Sequence, residues 1–137
     1  MINSYTSTSQ TVLTNSNLNF NINRIKTGCT VTHSEGTPTF SLNRPGFYFI
    51  SFNCDASTAE TSGNIVVQLR NNNELVPGAI STVNSTVATD VETLSFTTII
   101  QVKPSCCAIN NSTNLTIINT GVSATFTNAN LVITKLC

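Results

Sequence analysis

The chain has 137 residues, only 9% of them charged, and its six basic residues cancel its six acidic ones. That length suits one domain with a core of its own, and zero net charge removes the electrostatic basis for binding nucleic acid or an anionic membrane. No stretch approaches the roughly 18 consecutive apolar residues of a bilayer-spanning helix, so no membrane insertion is expected.

Residues 1–9 are rich in Ser, Thr and Asn and lack a core pattern. They read as a free arm, an attachment segment that orders only against a partner. Met1-Ile2-Asn3-Ser4-Tyr5-Thr6 has neither the basic region nor the apolar run of a leader peptide. Residues 10–137 read as a single domain. Residues 11–14 and 18–22 are short apolar-polar segments around the turn Asn15-Ser16-Asn17, and an alternating run over 29–33 follows Gly28. Glu35-Gly36-Thr37-Pro38 is a turn. It leads to a short strand with Phe40 and Leu42 on one face.

Asn43-Arg44-Pro45-Gly46 then turns into the most aromatic segment, Phe47-Tyr48-Phe49-Ile50-Ser51-Phe52-Asn53-Cys54. Successive strand side chains point to opposite faces. Tyr48, Ile50, Phe52 and Cys54 therefore share one face, and Phe47 and Phe49 share the other. Residues 64–70 form the next strand, Asn71-Asn72-Asn73 a hairpin turn, and residues 74–82 a return strand broken at Pro77-Gly78. That break marks an edge or a bulge. Residues 91–102 alternate, with Leu94, Phe96, Ile100 and Val102 on one face and Ile99 as the apolar exception on the other. Residues 115–118 are apolar on both faces, Asn119-Thr120-Gly121 turns the chain, and residues 124–136 close it. No window has helical periodicity. Many short strands with frequent turns imply an all-β sandwich or barrel.

The expected core is Phe40, Tyr48, Ile50, Phe52, Leu94, Phe96 and Ile100. The leftover apolar positions Phe47, Phe49, Ile99 and Ile118 need a cover, and a symmetric second copy supplies one.

Chemistry-bearing residues are sparse. His33 is the lone histidine. Cys29, four positions upstream, would lie about 13 Å away along a strand, so His33 is expected at the surface or beside a turn, without a catalytic partner. The cysteines Cys29, Cys54, Cys106, Cys107 and Cys137 are odd in number and include an adjacent pair, unlike a secreted disulfide framework. They are expected as plain thiols, a late disulfide from Cys106 or Cys107 to Cys29 or Cys137 being the alternative. Neither they nor the loop carboxylates Asp55, Glu60, Asp90 and Glu92 show metal-ligand spacing. No catalytic site, metal or cofactor is expected. The Asn-X-Ser/Thr matches at Asn84, Asn110, Asn111 and Asn114 are accidents of composition. The abundant amides and hydroxyls suit carbohydrate hydrogen bonding as well as a plain polar surface.

The order of segments is informative as a set. Phe40-Ser41-Leu42 followed by Pro45-Gly46-Phe47-Tyr48-Phe49-Ile50-Ser51-Phe52 resembles the signature of the tumour-necrosis-factor and complement-head superfamily. The hairpin over 66–76, the long strand over 93–102, Asn114-Leu115-Thr116-Ile117 and the closing Leu131-Val132-Ile133-Thr134-Lys135-Leu136 keep that family's order. The resemblance is strongest to its bacterial and phage branch, which includes the globular tips of collagen-like spore-surface proteins. It implies a ten-stranded jelly-roll sandwich of two antiparallel sheets, assembled as a homotrimer with an aromatic face at the threefold axis. A Gly-X-Y stalk is missing. The implied role is therefore a non-enzymatic phage virion component, a head-fibre or decoration module. It would be made in the host cytoplasm, carried on the virion surface and attached to a capsid or other virion protein by residues 1–9. A knob binding a host-surface receptor or glycan, or a protein of a bacterial spore or cell surface, is the alternative.

Overall fold

The computed structural model describes residues 1–58, 62–106 and 112–136. They form twelve strands: β1 (Ile2–Thr6), β2 (Gln10–Val12), β3 (Ser16–Asn17), β4 (Ile22–Lys26), β5 (Val31–His33), β6 (Phe40–Leu42), β7 (Gly46–Ser57), β8 (Gly63–Asn71), β9 (Glu74–Ser85), β10 (Glu92–Val102), β11 (Thr113–Asn119) and β12 (Ala124–Lys135). No helix occurs among the described residues. All pairings are antiparallel, in two sheets. The first runs β10-β7-β12-β1-β4 with β2 added on β12; the second runs β5-β6-β11-β8-β9 with β3 added on β11. Ten strands were expected. Strand β2 falls on the expected segment 11–14, whereas β1 lies in the expected arm and β3 in the expected turn Asn15-Ser16-Asn17.

Local chemistry explains the connections. Asn72 and Asn73 both take positive φ, 49° and 69°, the left-handed pair that a two-residue hairpin needs. Gly78 sits at φ 83°, where the β8–β9 register slips between Gln68 and Arg70. This is the bulge announced by Pro77-Gly78, and β9 is an edge strand. There the two sheets nearly meet, since the Ser95 N–H of β10 donates to Ser81 Oγ of β9 at 3.2 Å.

The core lies between the sheets. Every residue expected there is buried: Phe40, Tyr48, Ile50 and Leu94 fully, Phe52, Phe96 and Ile100 to within a few per cent. Phe20 joins them edge-on, 5.3 Å from Phe40 and 6.4 Å from Phe52 between centroids, a favoured aromatic geometry.

The amino-terminal segment corrects the sequence reading. Residues 2–6 are not a free arm but strand β1, paired to β12 on one side and to β4 on the other. Its inward side chains are Ile2, Ser4 and Thr6, all buried. Two are polar, and the core accepts them because each has a partner: Ser4 Oγ donates to Asn23 Oδ1, and Thr6 Oγ1 donates to the Asn19 carbonyl. Within the expected arm, only Met1 and residues 7–9 are exposed.

Candidate functional site: the open face of the first sheet

Strand β7 alternates so that its inward side chains fill the core and its outward ones line the open face of the first sheet. Register arranges that face in rungs. Thr134, Phe49 and Ile99 stand side by side on β12, β7 and β10, and Phe47 lies opposite Gln101 one rung further. Phe47 is 44% exposed and Ile99 58%, while Phe49 is half-buried. Leu136, also half-exposed, is tied beside them by its N–H to the Phe47 carbonyl at 2.8 Å. Covering a large apolar side chain fully is worth about 1.5–3 kcal/mol. This end of the face is therefore the one where covering the surface would gain most.

Polarity rises along β7. The rung after Phe49 is Val132, Ser51 and Thr97; the next is Asn130, Asn53 and Ser95; the last pairs Asp55 with Thr93. Amides are chained across this end. Asn3 Nδ2 donates to Asn130 Oδ1 at 2.7 Å, and Asn130 Nδ2 donates to Asn53 Oδ1 at 3.3 Å. Thr93 Oγ1 and Asn128 Nδ2 donate to the two oxygens of Asp55, each at 3.1 Å. Asn128 is at φ 52°, inside a bulge where the β12–β7 register shifts between Thr127 and Asn130. Bulges of this kind re-aim side chains. Beside it is a groove of about 330 Å³ lined by Asn3, Tyr5, Ser7, Arg24, Asn128, Ala129, Asn130 and Val132. The Arg24 guanidinium lies 4.6 Å above the Tyr5 ring.

Of the four positions expected at an interface, Phe47, Phe49 and Ile99 come together on this face. Ile118 does not join them. It belongs to β11, in the second sheet, and is 4% exposed. The Leu115–Ile117 alternation turns Ile118 away from the core, into a separate depression with Asn15, Arg70, Asn73, Leu75 and Thr120.

His33 sits beside the turn over 34–37, one of its two expected placements, but its side chain is buried rather than at the surface. Val31 and His33 share the inward face of β5. The imidazole stacks on Phe40 at 4.0 Å and 7°, with Nδ1 2.7 Å from Asn23 Oδ1 and Nε2 2.9 Å from the Thr37 carbonyl. Burial is the largest influence and holds its pKa below the ordinary value. The Thr37 bond opposes it, the Lys26 charge adds to it and Glu35 opposes it. Neither ring nitrogen faces a nucleophile. A cleft of about 430 Å³ outside β5 and β6 includes His33 and Lys26, but its hydroxyls are largely engaged. Thr32 Oγ1 accepts from Asn43, Ser41 Oγ donates to Asn114, and Thr37 Oγ1 donates to the Ser34 carbonyl.

The buried Cys54 thiol is pushed up to about 12, chiefly by burial and then by Asp55. Cys29 and Cys106 are exposed. Cys107, Cys137 and Glu60 lie outside the described residues, as do Asn110 and Asn111. Among the described residues no three His, Cys, Asp or Glu side chains are grouped to hold a metal ion. Sequence reasoning missed Tyr5, Arg24 and Asn128, which the strand register and one bulge bring together.

No protein-family model matches the chain, and no curated protein matches it. Solved structures do match. The globular domain of zebrafish complement 1qA protein superposes with a TM-score of 0.71 at 8% identity, covering 99% of this chain and 96% of that one. Murine APRIL at pH 5.0 superposes at 0.68 and 8% identity, covering 98% of each chain. A second murine APRIL structure, at pH 8.5, gives 0.62 and 7%. At such identities the likeness is one of fold. The chain has an all-β jelly-roll fold, shared with these structures over essentially its whole length.

Proposed function

We propose that this chain is a non-enzymatic self-assembling module, a homotrimer closed by the apolar end of the open face. The observation that carries the reading is the cluster of Phe47, Phe49, Ile99 and Leu136, three of them exposed and Phe49 half-buried, set side by side at one end of the open face. Such a cluster calls for a partner. Copies related by an axis parallel to the strand set apolar end on apolar end, which suits the gradient along β7. The choice of three copies rests on the family resemblance, and the shared jelly-roll fold is compatible with it.

The finer assignment, a virion head-fibre or decoration module, rests on the sequence resemblance and on the low-charge, Asn- and Thr-rich composition. Attachment through a free amino-terminal arm is not part of it, because residues 2–6 are committed to β1. Sedimentation equilibrium of the full chain at micromolar concentration tests the assembly: three times 14.6 kDa is expected, and a persistent monomer or dimer overturns it. A map of the intact particle tests the virion setting, which fails if the chain is absent from the particle surface.

A further inference from the structure

The groove at the polar end of the open face has unused hydrogen-bonding capacity of a particular kind. Arg24 is held against the Tyr5 ring and has no ion pair or hydrogen bond among the described residues. Stacking leaves the N–H donors of a guanidinium at the edge of its plane, where they match a carboxylate or phosphate in fork geometry. The amides around it keep both kinds of capacity. Asn3 has given both its N–H donors, to Asn130 and Leu131, whereas Asn130 and Asn128 have each given one, to Asn53 and to Asp55. The Asn3 and Asn128 carbonyl oxygens remain as acceptors, one N–H remains on each of Asn128 and Asn130, and the hydroxyls of Tyr5 and Ser7 can do either. A complementary ligand therefore presents one anionic oxygen pair to Arg24 and hydroxyl groups, which both donate and accept, to the amides. Its volume of about 330 Å³ is at the small end for ligand sites, and Val132 supplies an apolar wall.

We propose that this groove binds a small anionic sugar, a monosaccharide carrying a carboxylate or a phosphate. The groove is offset from the apolar cluster. Tyr5 is level with Asn130 and Asn53, four residues along β7 from Phe49, which is about 13 Å, and it is two strands to one side. Every residue of the groove comes from one copy, so binding does not depend on self-association.

Titration calorimetry on the full chain tests the assignment, with glucuronate, glucose 6-phosphate, glucose and inorganic phosphate as probes. Saturable binding of glucuronate or glucose 6-phosphate is expected, and whichever binds more tightly identifies the anionic group. Arg24→Gln, at an exposed position, should weaken it at least about tenfold, the scale of a charge-assisted pair, with the melting temperature unchanged. Phe47→Asp should leave it intact. The proposal is overturned if neither sugar binds at millimolar concentration, if glucose or inorganic phosphate binds as tightly, or if folded Arg24→Gln binds like the wild type. Loss of binding in a folded Phe47→Asp monomer would overturn the single-copy site while leaving the assembly reading in place.

Discussion

The two faces of β7 carry the same chemistry to different ends. Tyr48, Ile50 and Phe52 are buried by the fold itself, within one copy. Phe47 and Phe49, their immediate neighbours in the chain, stand on a face that the fold leaves open. The inner row is anchored: Phe52 lies against Phe20 and Phe96, and the Tyr48 hydroxyl donates to the Arg44 carbonyl at 2.6 Å. The outer row has strand neighbours but no covering layer in the protomer. The difference teaches that apolarity on the two sides of a strand has separate consequences: one side closes the sandwich, and the other is the surface on which the proposed association of finished sandwiches rests.

Charge substitutions break this comparison most sharply. Phe52→Asp should abolish folding, since an unpaired carboxylate would replace a ring at the centre of the core; the loss exceeds about 4 kcal/mol. Circular dichroism and denaturant melts check it. Phe47→Asp should give a folded protomer within about 0.5 kcal/mol of the wild type and only its association should fail, as read by sedimentation. Identical behaviour of the two variants would dissolve the distinction between the faces.

A smaller effect is expected at the far end of the second sheet. A Cβ on Gly121 would lie 2.2 Å from the Asn64 carbonyl oxygen and 2.7 Å from the Val66 nitrogen, in a turn bound to β8 through Thr120 and Val122. Gly121→Ala should destabilise by about 1–3 kcal/mol through overpacking, without altering the mass of the folded assembly.

The smallest effects are chemical. Cys54, with its pKa near 12, should resist iodoacetamide at pH 8 until the protein unfolds, whereas exposed Cys29 should react at once; the two are resolved by peptide mapping. His33 supplies a pH dependence whose sign follows from its lowered native pKa. The unfolded state then binds more protons between the native pKa and the ordinary value of about 6.5. Stability should rise with pH through that window and fall on acidification, and His33→Gln should flatten the slope. A wild-type slope of opposite sign would show that the two acceptor oxygens at the ring outweigh burial.

Much of the fold was legible because β8 and β10 alternate apolar with polar residues, because β7 is a long aromatic run, and because Asn72-Asn73 and Pro77-Gly78 mark turns. Strand β1 was not legible. Its inward row is Ile2, Ser4, Thr6, with one apolar member, and only pairing on both edges holds it in the sheet. The place of His33 beside a turn was legible but its burial was not: it shares a face with Val31, so the alternation that buries one buries the other. The sheet to which Ile118 belongs is a matter of topology, which local pattern does not carry. The groove could not be read at all. Tyr5, Arg24 and Asn128 meet only through long-range register and a bulge on β12.

Hydroxyl-radical footprinting of the Phe47 side chain, at concentrations above and below the association midpoint, tests the central claim most directly. The account predicts that Phe47 is shielded in the assembled protein and becomes oxidised on dilution, while Phe52 stays protected in both. Equal oxidation of Phe47 at both concentrations would mean that this face has no partner made of the same chain.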